Sequence, residues 1–202
     1  MSILFAVGLI SIGAGFARLD TINQHVQSNS LPTRLIDLRY VQHPVVTFIH
    51  IGSGIIFMLL APLQFSPGIR RRIPKLHRII GRTALVAAFT TATISIWMAI
   101  SFPAFGGWLT ATSTYLFGSY VIVCFALAYA AARKRQIDRH KKWIIRGVIV
   151  SFGVSSIRVL FAVFAVATDL QFEEFFPLAF ALGFALNAVF AELVVKRRSA
   201  IR

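Results

Sequence analysis

The sequence predicts an all-α integral membrane protein, a bundle of six transmembrane helices with both termini in the cytoplasm. Three observations carry that reading. Of 202 residues, 57% are hydrophobic and 14% charged, with a mean hydropathy of +0.75, against roughly 45 to 50% and 25% in soluble domains. Apolar runs near the length of a membrane crossing recur six times. The basic residues collect in alternate connections between those runs.

A helix rising about 1.5 Å per residue needs close to twenty residues to cross about 30 Å of hydrocarbon. The candidate spans are 3–17, 44–65, 83–102, 110–132, 143–168 and 175–195, within one domain of residues 1–202. The first is the shortest, and its length also fits the apolar region of a signal peptide. Met1-Ser2 supplies no basic leader, however, and the stretch around Gly13, Ala14, Gly15 and Phe16 has no clean cleavage pattern. A retained span is therefore preferred, with Ser11 and Gly15 as a small-residue pair for helix packing. The second run opens on Pro44, suited to a first helical turn. Ser66-Pro67-Gly68, Ile73-Pro74, Phe102-Pro103 and Gly106-Gly107 punctuate the connections after the second and third runs.

Lys and Arg gather on the cytoplasmic side of a membrane protein. Arg70, Arg71, Arg72, Lys75, Arg78 and Arg82 precede the third span. Arg133, Lys134, Arg135, Arg139, Lys141, Lys142 and Arg146 separate the fourth from the fifth, and Lys196, Arg197, Arg198 and Arg202 follow the sixth. The opposite side holds Arg18, Arg34 and Arg39 with Asp20, Asp37, Asp169, Glu173 and Glu174. This orientation places the protein in a cell inner (plasma) membrane with both ends inside. It also accounts for the net charge of +14 without nucleic acid; anionic lipid at the cytoplasmic face is the expected partner. The single cysteine, Cys124, excludes an internal disulfide and any Cys-based zinc or iron-sulfur centre.

Ionisable groups inside a span cost about 2.5 to 3.5 kcal/mol on insertion scales and so need a partner or a task. His50 lies about 9 Å along the second span, and Arg158 about 22 Å along the fifth from the inner side, near the same depth. Asn187 of the sixth span lies lower, within reach of an Arg158 side chain that leans toward its helix N-terminus. A second cluster marks the cytoplasmic edge. His77, Arg78, Gly81 and Arg82 begin the third span; His140, Trp143 and Arg146 begin the fifth. Glu192 sits at the depth of Arg82 and Arg146, where an ion pair is expected.

Taken together, His50-Ile51-Gly52, Pro62, Gln64, Phe65, Pro74, His77-Arg78, Gly81-Arg82, His140, Trp143, Ile145-Arg146, Arg158, Asn187 and Glu192 give the chain a resemblance to a family of bacterial multi-pass membrane proteins known as domain of unknown function 2306. Ala61, Thr83-Ala84 and Ile144 depart from its pattern. The resemblance implies a compact helical membrane protein and no established activity.

Three kinds of function follow from the residues. The first is b-type haem binding with transmembrane or quinone-linked electron transfer, since imidazoles on facing helices hold haem iron. His77 and His140 are the candidate iron ligands. Arg78, Arg82, Arg139 and Arg146 would meet propionates, Trp143 would pack on the macrocycle, and His50 would serve a second iron or an outer quinone. Interfacial His, Arg and Trp also anchor helices with no cofactor at all. The second is a non-metal site for a quinone, lipid or small solute lined by His50, Arg158 and Asn187, with Glu192 nearer the edge. The third is an accessory subunit or homo-oligomer docking through small-residue rows such as Gly147, Ser151 and Ser155. Hydrolase chemistry lacks its motifs, having neither G-x-S-x-G nor H-E-x-x-H. Asp138 reads as a salt-bridged surface carboxylate.

Overall fold

A computed structural model describes residues 2–32 and 35–200; Arg34 and Arg202, read above as flanking charges, lie outside the described residues. The chain is all-helical among these residues, and six helical segments are long and apolar enough to cross a membrane. It divides into two compact units, residues 1–98 and 99–202.

The first unit contains α1 (Ser2–Gln27), α2 (Leu35–Gln42), α3 (Pro44–Leu60), α4 (Pro67–Arg72) and most of α5 (Pro74–Ser101). Prolines set its punctuation. Pro44 starts α3 in the position where a missing N–H costs nothing. Pro62 ends α3 and leads into a 3-10 turn, Pro62–Phe65. The Ser66 hydroxyl then accepts from the Ile69 N–H (3.4 Å) to cap α4, and Ile73, non-helical at φ −131° and ψ 65° ahead of Pro74, separates α4 from α5. On α1, Ser11 and Gly15 are buried, and Gly15 faces α3. A Cβ at Gly15 would lie 3.2 to 3.3 Å from Ile51 and Ile55, so the small residue is what lets α3 approach. Arg18 of α1 forms an ion pair with buried Asp37 of α2 and lies 5.0 Å over the Tyr40 ring. Two charges read as loop residues thereby tie a short helix to a long one.

The second unit contains α6 (Gly107–Arg133), α7 (Ile137–Ser151), α8 (Gly153–Ala167) and α9 (Phe172–Ala200). Gly106, with φ +81°, caps α6 in a conformation open to few other residues. Between α6 and α7, Arg135 occupies the left-handed region (φ 57°) while the Gln136 N–H closes back on the Ala131 carbonyl at 2.9 Å.

The fifth span, expected as one helix, is interrupted at Phe152. The Ser155 N–H turns to the Phe152 carbonyl (2.9 Å), an i to i+3 bond. Two features favour the break. The Ser151 hydroxyl bonds back to the Gly147 carbonyl (2.8 Å), which bends helices, and Gly153 follows immediately. There α8 and α9 cross almost backbone to backbone. A Cβ on Gly183 would lie 3.0 Å from the Ile157 nitrogen, and one on Gly153 3.1 Å from the Phe184 Cα. Phe105, Phe161, Phe172, Phe176, Phe180 and Phe184 extend the contact as linked rings 4.9 to 5.9 Å apart.

The helices outrun the apolar runs at their polar ends. The first span continues to Gln27, and the third starts at Pro74, so His77 and Arg78 are helical. Exposed cations do not stop a helix, because their stems extend along it while the charged heads reach water.

Candidate functional site

In the first unit, His50 of α3 is part-buried. Its Nδ1 lies 3.1 Å from the Thr91 carbonyl of α5. A carbonyl only accepts, so this nitrogen carries the proton and Nε2 is the lone-pair nitrogen of the neutral ring. Ser53, one turn on, donates to the His50 carbonyl (3.0 Å) and lies 2.6 Å from the Thr91 hydroxyl. This polar knot holds α3 to α5 within an apolar span.

At the start of α5, Gln64 spans two backbone groups. Its amide nitrogen donates to the His77 carbonyl (3.3 Å) and its oxygen accepts from the Gly81 N–H (3.1 Å), the two groups that a continuous helix pairs with each other. A Cβ at Gly81 would lie 2.8 Å from the amide nitrogen of Gln64 in this orientation. Gln64 and Gly81 therefore act together to fix the first turns of α5, on which His77 sits with Arg78 and Arg82 exposed beside it.

In the second unit, His140 of α7 repeats the arrangement of His50. Its Nδ1 donates to the Ala128 carbonyl of α6 at 2.9 Å, which turns Nε2 away from that bond. Two turns on, Arg146 meets Glu192 of α9 through two bonds, Nε to Oε1 (2.6 Å) and Nη2 to Oε2 (2.9 Å). Of the two arginines weighed for Glu192, Arg146 is the one that pairs with it. Its guanidinium also lies 4.8 Å over the Trp143 ring. Tyr120 of α6 donates to the same carboxylate at 3.5 Å. Asp138 pairs with Lys141 at 3.6 Å, as a surface carboxylate should.

Beyond the break at Phe152, Arg158 reaches back to the Val154 carbonyl (2.6 Å). Asn187 of α9 donates to the Ser156 hydroxyl (2.6 Å) and the Gly183 carbonyl (2.7 Å). Ser156 is thus an α8 residue that Asn187 meets.

His50 belongs to the first unit and Arg158, Asn187 and Glu192 to the second; His77 belongs to the first and His140 to the second. Among the described residues no group of three His, Cys, Asp or Glu forms a metal cage. Reasoning from sequence missed Thr91, Ser53, Tyr120 and the bridging role of Gln64. The signal for the first two was a pair of hydroxyl side chains inside apolar runs.

No curated protein and no solved structure matches this chain. A family model described as Predicted membrane protein (DUF2306) matches residues 47–195, a stretch that contains His50, Gln64, His77, His140, Arg146, Arg158, Asn187 and Glu192. The chain, a multi-pass membrane protein by its six apolar helical segments, belongs to the DUF2306 family.

Proposed function

We propose that this protein binds haem b at the cytoplasmic edge of a cell inner membrane and carries electrons, with His140 as an iron ligand. The observation that supports this reading is the Nδ1–H of His140 donated to the Ala128 carbonyl. Iron-binding imidazoles are oriented in this way, because the second bond fixes the tautomer and turns the other nitrogen to the metal. Haem would supply the one-electron couple. The chain would supply the His140 imidazole and exposed Arg139 for a propionate. Two N–H groups of Arg146 are committed to Glu192, so its part is to hold Trp143 and α9 rather than a propionate. Anionic lipid at the same basic face is the accompanying partner.

A second reading, a non-metal site for a quinone, lipid or small solute, draws on the helix break at Phe152 with Arg158, Ser156 and Asn187 beside it. Interrupted helices in membranes mark binding sites. The accessory-subunit reading draws less support, since Ser11, Gly15, Gly147 and Ser155 are buried within their own units. The test of the haem reading is a reduced-minus-oxidised absorption spectrum of the purified chain with haem quantified per polypeptide. Near-stoichiometric haem supports it, and a colourless protein from haem-replete cells refutes it.

A further inference from the structure

The polar knot between α3 and α5 has an imbalance of donors and acceptors. Its hydroxyl protons are both used internally. If Thr91 donates to Ser53, then Ser53 donates to the His50 carbonyl (3.0 Å); if Ser53 donates to Thr91, then Thr91 turns to that same carbonyl (3.5 Å). The third proton, on His50 Nδ1, is spent on the Thr91 carbonyl. What faces outward from the knot is an acceptor, His50 Nε2, which no hydrogen bond reaches among the described residues. It lies six residues into α3, where hydrocarbon offers no water to satisfy it.

There is room beside it. Gly54 lies one turn along on the His50 face, and a side chain there would lean back toward His50. A Cβ at Gly54 would make only an ordinary contact, 3.8 Å from Thr91. Packing against α5 therefore does not demand glycine at this position, and its absent side chain leaves space next to the imidazole.

From these observations we infer that His50, with the shelf at Gly54, binds the hydroxyl of a membrane-soluble hydroquinone headgroup, Nε2 accepting its hydrogen bond. A site with all its protons spent inward selects a donor, so it discriminates hydroquinone from quinone, whose carbonyl oxygens only accept. The choice of a hydroquinone over an aliphatic alcohol rests on the redox reading above. The requirement for a donor does not.

The test is thermal unfolding of the full chain in detergent, a readout that needs no haem. Saturating duroquinol, kept anaerobic, should raise the midpoint by about 5 °C, and duroquinone by much less. His50→Phe should abolish the shift. Gly54→Leu, which keeps the imidazole and fills the space, should abolish it too, so the test survives if His50→Phe fails to fold. Equal shifts from duroquinol and duroquinone, a shift that persists in either variant, or no shift in the parent chain would each overturn the proposal. A shift of the same size from 1-octanol would overturn the hydroquinone assignment and leave a general hydroxyl site. A colourless protein that still answers to duroquinol would separate this site from the haem reading.

Discussion

Arg146 and Glu192, 46 residues apart, form a two-pronged ion pair that fastens α7 to α9, with bonds of 2.6 and 2.9 Å. The fork geometry matches guanidinium to carboxylate and fixes orientation as well as distance. Because the Glu192 side chain is 41% exposed, solvent screens the pair and its worth is about 1 kcal/mol. A double-mutant cycle with Arg146→Leu and Glu192→Leu, measured by unfolding in micelles, should give a coupling near that value. Additive effects would mean the contact does not contribute. Arg146→Lys should recover only part of it, since an ammonium cannot make both bonds.

Glycine substitutions should sort by the space around them. Gly183→Ala places a methyl 2.5 Å from Ile157 Cγ1 and 3.0 Å from its backbone nitrogen, and should destabilise by about 1 to 3 kcal/mol. Gly13→Ala in α1 meets nothing within 4 Å and should stabilise by about 0.4 to 1 kcal/mol through helix propensity and a less flexible unfolded chain. Equal responses at the two sites, read as unfolding midpoints, would contradict the close crossing of α8 and α9.

Arg135 occupies a left-handed conformation that costs an L-residue about 1 to 2 kcal/mol. Arg135→Gly should raise stability by roughly 1 kcal/mol, and Arg135→Val should lower it. A loss of stability in the glycine variant would show that the arginine side chain contributes more than its backbone costs.

Gln64→Leu removes two bonds to the backbone of α5. It should cost about 1 to 2 kcal/mol and speed amide exchange at Gly81 before that of the rest of the helix. Unchanged protection at Gly81 would rule out the bridge.

Much of the architecture was legible because membrane spans are written in composition: six apolar runs became six helical segments, and the Glu192 pairing followed from depth alone. The helix ends were less legible. The apolar run was cut at Arg82, whereas exposed Arg78 and Arg82 let α5 begin at Pro74. The break at Phe152 was hidden, since Ser151 and Gly153 are each tolerated in a continuous helix and act only in combination with the approach of α9. The bond from His50 to Thr91 joins residues 41 apart. No periodicity encodes which carbonyl of a neighbouring helix an imidazole will meet. Short α2, held by Arg18 and Asp37, was masked for the same reason, because its charges read as loop until their partners are known.

The central claim, that His140 holds haem iron, is tested most directly by the reduced-minus-oxidised spectrum of the purified protein beside that of His140→Ala. The expected result is near-stoichiometric haem with a low-spin spectrum in the parent, lost in the variant while the protein still accumulates in the membrane. A colourless parent, or a variant with the parent's haem content, would contradict it.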